Sequence, residues 1–515
     1  MTCDSLYITI LGRSVWALLN AYFSVLEETE FRPGRIVIFA EELFSAQLPL
    51  AEKGLRIISK GYGFSPSIQT EQIPETGFLV AGEKISRIVR DAKVQGTSVA
   101  LDITPGRKAL LAGALVSVPK ENLDHVFYLA ITSTKDAARP YLMIPLQIQD
   151  LMDFRRGINE GGAKPSTSEK SALDVGKLPL KPIDRITKGE LQVLLNILGD
   201  RLKVTFPLTG LEMLQTRGES RGYGFSIPCT PEGCDAAAES FGEFRHEVPN
   251  YDDIRSCLIY SGILKYLNED EFFEFSRAHK KLKKEVVFAL DTNLLYFGFP
   301  ENSGIDASHF LLMETTKSEL QGASNRKFKQ EDITAFRQAS LYNRHLVDDL
   351  FNQRTKKARR AAYLALRQYQ LIHDRANKFR GIEETSSDNE KNDLILVKSV
   401  RQYQIENLGL PILLTADKNV PALCGTEGVD YFCFQIPHEV PGGRCSSAQL
   451  VNLIFTLAVV SGFIRLGSVL IYGEFGGKGS NPEELKLVFQ DDKLASTFTR
   501  NLQICRELIT LGIEE

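Results

Sequence analysis

The chain has no excess of positive charge: 61 Lys and Arg stand against 65 Asp and Glu, a formal net charge of -4. That balance excludes a uniformly basic nucleic-acid binder, so any such contact must come from a local patch. Paired cysteines are missing too. The eight cysteines (Cys3, Cys229, Cys234, Cys257, Cys424, Cys433, Cys445 and Cys505) are scattered and no secretory signal precedes them, so they are expected to be reduced thiols of a cytoplasmic protein. Cys229 and Cys234 lie closest, yet no second pair or nearby His completes a zinc site. There is no G-x-x-x-x-G-K-[ST] phosphate loop, and no G-x-G-x-x-G fingerprint, which disfavours a dinucleotide redox cofactor. Nor is there a clean membrane span. Residues 450–470 are long enough, but Arg465 lies inside them and Ser461-Gly462 and Gly467-Ser468 interrupt them. A buried helix, a turn and a buried strand account for that stretch, and no membrane partner is expected.

What is present begins with length: 515 residues allow three or four domains. In the first of these, apolar strand candidates at 6–11, 35–40, 97–102 and 126–130 alternate with helical stretches at 15–26, 83–92 and 108–116. Such alternation predicts an α/β fold with a doubly wound parallel sheet, whose ligands collect at the carboxyl ends of strands. Those ends carry Gly12-Arg13-Ser14 and Asp102-Ile103-Thr104-Pro105-Gly106-Arg107-Lys108. The second loop sets a hydroxyl, a glycine backbone and two cations at a helix start, where unpaired N–H groups and the helix dipole favour an anion. Its alternative reading is an incidental basic turn at a helix N-terminus.

The Gly-Arg-Ser turn and the 101–110 stretch, with small residues Ala112-Gly113-Ala114 following, resemble the CRISPR-associated Rossmann-fold (CARF) sensor domain. Tyr128-Leu129, Arg139-Pro140 and Ile144-Pro145 look like that family's closing segment. The resemblance covers residues 1–154. It implies a homodimer that binds cyclic oligoadenylate as an allosteric activator through Gly12, Arg13, Ser14, Asp102, Thr104, Gly106, Arg107 and Lys108. The family's commoner Gly-Gly-Thr-Lys is replaced here by Pro105-Gly106-Arg107-Lys108, which leaves the ring size open.

Residues 155–184, rich in Gly, Pro, Ser and charge, read as a linker. Residues 185–284 read as a mainly helical connector, with a winged-helix-like module as the alternative. Glycine and turn residues across 217–234 are more numerous than a recognition helix would tolerate.

Residues 285–297, EVVFALDTNLLYF, hold an apolar strand candidate that ends on Asp291. Alone, Asp291 reads as a helix cap. The device recurs at 411–418, where an apolar strand closes on Thr415-Ala416-Asp417, and Glu319 and Asp393 lie near helix starts in between. Acids gathered in this way suit Mg²⁺ or Mn²⁺, which take oxygen ligands, and their mutual repulsion would be costly without a cation. The set resembles a PIN-domain nuclease: Asp291 with Asn293 matches its first motif, Glu319 its second, Asp393 its third and Thr415-Ala416-Asp417 its fourth. That resemblance covers roughly residues 285–440. It implies metal ligation by Asp291, Glu319, Asp393 and Asp417, with Asn293 and Thr415 holding the carboxylates and the attacking water. A catalytically silent fold, with some acids acting as caps, is its alternative.

Across residues 326–380, fourteen Lys and Arg meet five Asp and Glu, with Phe336, Tyr363, Tyr369 and Phe379 among them. This footprint suits a single-stranded backbone with stacked bases, while a solvated helix face is the plain alternative. Residues 441–515 read as an extension packed on the PIN-like sheet. Together the two resemblances predict a CRISPR-associated, cyclic-oligoadenylate-activated endonuclease that cuts single-stranded RNA, with DNA left open, in antiviral defence. A CARF-controlled regulator without nuclease activity is the alternative, and a sensor that degrades its own cyclic ligand is a third reading.

Overall fold

The computed structural model describes residues 5–73, 78–119, 122–155, 183–279, 284–324, 328–340, 343, 345–347, 355–382, 389–475, 478 and 481–514. The linker proposed over 155–184 lies almost wholly outside them.

The chain starts with a six-stranded sheet: β1 (Ser5–Leu11), β2 (Arg35–Glu41), β3 (Ser67–Ile73), β4 (Ser98–Asp102), β5 (His125–Ile131) and β6 (Gln149–Asp153), in the order β3-β2-β1-β4-β5-β6. The first five are parallel and β6 is antiparallel. β1 is buried along its whole length, as its apolar run requires. β3, SIQTEQI, is a polar edge strand with mostly exposed or half-exposed side chains. It carries no apolar signature, and the sequence reading leaves it as loop.

Four strands follow: β7 (Arg185–Thr187), β8 (Lys203–Phe206), β9 (Leu211–Glu219) and β10 (Gly222–Ser226). Next come β11 (Val286–Leu290), β12 (Phe310–Met313), β13 (Asn377–Phe379), β14 (Leu410–Thr415) and β15 (Asp430–Cys433). Last are β16 (Gly443–Cys445), β17 (Phe463–Leu466), β18 (Val469–Tyr472) and β19 (Glu484–Phe489). Strands β11 to β15 make a parallel five-stranded sheet in the order β13-β12-β11-β14-β15.

The remaining eight form a single antiparallel sheet, β16-β10-β9-β8-β17-β18-β19-β7. It adds to one expectation and corrects another. The 185–284 segment has more helix than strand, in Leu191–Leu198, Pro231–Glu239, Tyr251–Tyr260 and Glu269–His279, but also supplies four strands, and Gly218, Gly222 and Gly224 lie in the β9–β10 hairpin. The strands after residue 441 do not add to the β11–β15 sheet; they pair with those of the connector, β17 on β8 and β19 on β7.

The buried helix Ser447–Ser461 lies between them, against Tyr251–Tyr260 and Lys357–His373. No helix among the described residues is long and apolar enough to cross a membrane. The final helix, Asp492–Ile509, docks on the first sheet's helices. There Arg500 Nη2 meets Glu27 Oε2 at 3.3 Å, with Asn501 Nδ2 donating to Glu27 Oε1 at 3.1 Å. The molecule is therefore an α/β protein with a mainly parallel sheet, a parallel sheet, and an antiparallel sheet whose strands come before and after the second of these in the chain.

Candidate functional site

Both parallel sheets reverse strand order beside their first strand, β1 against β4 and β11 against β14. A crevice forms at the carboxyl ends of two such strands because their connections leave in opposite directions. The two sets of residues singled out in the sequence sit at these two places.

In the first sheet the loops after β1 and β4 abut. A Cβ on Gly12 would stand 2.0 Å from the Pro105 carbonyl oxygen, so only glycine allows this approach. Gly106 is similarly confined, against Leu111 and Ile10. Ser14 caps the helix Val15–Glu28 by accepting from Ala17 N at 3.0 Å. Asp102 lies below the loop at 0% exposure, not on its surface. Its Oδ2 accepts from Thr9 Oγ1 and its Oδ1 from Thr104 N, each at 2.9 Å. Burial pushes its carboxyl up to about 6, against the hydrogen bonds of Thr104 and Thr9. Thr104 Oγ1 in turn accepts from Leu129 N. Asp102 and Thr104 thus brace the loop, while Arg13 and Lys108 are exposed on it. Arg107 Nη1 lies 3.2 Å from the buried Glu41 carboxylate and its guanidinium sits over Phe44. Thr9 escaped the sequence reading because it acts across the β1–β4 pairing, and Glu41 because it ends β2 and meets a loop that follows β4.

In the second sheet, β11 delivers Asp291 and β14 delivers Thr415 and Asp417 to adjacent positions. Asp291 is 3% exposed, and its Oδ2 accepts from Thr415 Oγ1 at 2.6 Å and from Asn293 Nδ2 at 3.4 Å. Thr415 Oγ1 accepts from Asp417 N at 2.9 Å, so one hydroxyl joins both strand ends. Asp291 also stands at the N-cap position of the helix Thr292–Tyr296, with no side-chain capping hydrogen bond there. Burial raises its pKa and the nearby Asp417 charge adds to the rise, against the hydrogen bonds of Thr415 and Asn293. Glu319, on the helix Glu314–Ser324, accepts from Thr292 Oγ1. Its pKa is also raised, first by burial and then by Asp291.

Asp393 is half-buried on the helix Asn389–Glu406, which covers one face of this sheet through Leu396, Val397 and Val400. No group of three or more His, Cys, Asp or Glu placed to hold a metal ion occurs among the described residues. The structure therefore couples Asp291 to Asp417 and to Glu319 as pairs. Among the described residues no Lys or Arg forms an ion pair with any of the three.

The cationic stretch is partly internal where it is described. Lys357 Nζ binds Asp253 at 2.7 Å; Arg360 is buried and donates to the carbonyls of Val460 and Thr355. Arg367 bridges Glu301 and Glu483, each at 2.7 Å, and Arg375 pairs with Asp306. Phe336 is 2% exposed and packs at a tilt against Phe241, so it offers no face to a base. Arg326, Lys327, Arg344 and Arg354 lie outside the described residues. Of the nucleic-acid footprint expected over 326–380, Lys329, Arg337, Lys378 and Arg380 are exposed, the last two beside Lys317.

No family model matches the chain, and no curated protein matches its sequence. Among solved structures it is similar to protein VC1899 from Vibrio cholerae, at 10% identity and TM-score 0.25 over 83% of this chain and 94% of that one. It is also similar to a Type III CRISPR defence DNA nuclease activated by cyclic oligoadenylate, at 11% identity and TM-score 0.22 over 89% of this chain and 70% of that one. At TM-scores this low the likenesses carry no argument about fold or chemistry.

Proposed function

We propose that the chain is a cyclic-oligoadenylate-activated, metal-dependent endonuclease acting on single-stranded RNA, with a CARF-like sensor in residues 1–154 and a PIN-like nuclease in residues 285–440. The observation that carries this reading is the coupling of Asp291 and Asp417 through Thr415 at the switch point of a parallel sheet. A buried carboxylate with raised proton affinity, next to two further acids and without a basic partner, is a site that a cation would relieve. The donors are all hard oxygens, which suits Mg²⁺ or Mn²⁺. Asp291, Glu319 and Asp417 would hold the metal, with Asp393 as a further candidate. Bound there, a divalent cation lowers the pKa of a water and steadies the leaving oxygen of a phosphodiester. Thr415 keeps Asp291 oriented, Asn293 supports the same oxygen, and Thr292 fixes Glu319.

For the sensor, the abutting loops with exposed Arg13 and Lys108 at a switch point support an anionic ligand. The homodimer belongs to the same reading, since the resembled family binds its ligand between two copies. The test is cleavage of labelled RNA by the purified chain with Mn²⁺, with and without cyclic oligoadenylates of each ring size. Ligand-dependent cutting supports the reading, and no cutting with any ring opposes it.

One observation favours a second reading, a regulator without nuclease activity: the acids form pairs and not a group of three. Metal-independent duplex binding without cleavage would support it.

A further inference from the structure

A groove of about 580 Å³ opens at the carboxyl ends of β12 and β13, on the side of β11 away from β14. Its volume is that of a site for one small molecule or one nucleotide. The helix Glu314–Ser324 starts in it, bringing unpaired N-terminal amides and the positive end of the dipole. Lys317, Lys378 and Arg380 add cations, with Lys317 Nζ held 3.1 Å from Glu314. The rings of Tyr369 and His373, 5.4 Å apart, form another part of the wall.

Independent of these charges, Thr315 lines the groove at 6% exposure and its Oγ1 has no hydrogen-bond partner among the described residues. A buried hydroxyl is ordinarily paired, so this one marks a place where a ligand atom completes the site. The groove lies beside the acids, because β12, at whose carboxyl end it opens, pairs with β11, whose carboxyl end carries Asp291.

We infer that this groove is the subsite for a single nucleotide flanking the scissile phosphate of a single-stranded substrate. The helix start, Thr315, Lys317 and Lys378 take a phosphate, and the Tyr369–His373 wall takes the base. This assignment rests on the nuclease reading for its place beside Asp291, but it makes a claim about binding that stands apart from cleavage.

The test measures anisotropy of a labelled single-stranded RNA with the full chain in chelator, so that no cutting occurs. Lys378→Glu is expected to weaken binding about tenfold and to lower the salt dependence by about one phosphate contact. Thr315→Val should weaken binding several-fold while leaving the melting temperature unchanged or higher, which a merely structural threonine would not do. Lys53→Glu, an exposed charge reversal on the first domain, should bind as the unaltered chain does. Unaltered affinity in both groove variants, or tighter binding of duplex than of single strand, overturns the assignment. Groove-dependent binding by a chain that cuts nothing under any condition overturns the nuclease reading instead.

Discussion

Thr415 Oγ1 donates a 2.6 Å hydrogen bond to Asp291 Oδ2 across two neighbouring parallel strands. The same oxygen accepts from the backbone N–H of Asp417, so one buried hydroxyl sets the relation of two acids. Thr415→Val keeps the shape and removes both contacts. It is expected to cost about 1–3 kcal/mol in urea unfolding, because a buried carboxylate loses its donor, and to reduce cleavage strongly. Unchanged stability would mean that Asp291 is satisfied by other groups.

Asp102, Asp291 and Glu319 all bind a proton more tightly than in an unfolded chain. For a group of this kind the stabilising contribution is fully present below the unfolded-state pKa and is lost as pH rises through the folded one. For Asp102 that window runs from 3.8 to about 6. The unfolding free energy of the unaltered chain, relative to Asp102→Asn, should therefore rise as pH falls from about 7 to about 4. A flat difference, or one of opposite sign, contradicts the burial of that carboxyl.

Gly12→Ala places a methyl against the Pro105 carbonyl oxygen, a backbone atom that cannot swing aside. The two loops must separate, and binding of cyclic oligoadenylate by calorimetry is expected to weaken about tenfold or more, near 1.4 kcal/mol. Affinity equal to that of the unaltered chain would place the ligand elsewhere.

Glu27 and Arg500 form a buried pair between the helix that starts at Ser14 and the last helix of the chain. Removing one charge, as in Arg500→Met, leaves the Glu27 carboxylate buried without its cation, held only by Asn501 and Tyr62, and is expected to cost about 3 kcal/mol. The double variant Glu27→Gln with Arg500→Met should recover much of that loss in denaturant unfolding. Additive losses would argue against a direct pairing.

The central strands of the parallel sheets are legible because they are continuous apolar runs closed by polar residues, as in Val286–Leu290 before Asp291 and Leu410–Thr415 before Asp417, whereas the polar edge strands β3 and β13 are not. Nor is the eight-stranded sheet, since β17 pairs with β8 across more than two hundred residues and nothing local announces such a partner. The same limit hid Thr9 beneath Asp102 and Glu41 beside Arg107, contacts made between segments distant in sequence. Charge in 326–380 was easy to count, but its use was not: Arg360 and Arg367 look like surface cations in sequence and are internal braces in the fold. The four acids could be picked out as strand ends and helix starts. Their grouping as pairs, with Asp393 on a covering helix, depends on packing.

The most direct measurement is cleavage of single-stranded RNA by the full chain with Mn²⁺ and cyclic oligoadenylate, run beside Asp291→Asn. The account predicts ligand-dependent cutting that disappears in the variant while calorimetric binding of the cyclic ligand is retained. Cutting that persists in Asp291→Asn, or its absence from the unaltered chain with every ring size, would contradict it.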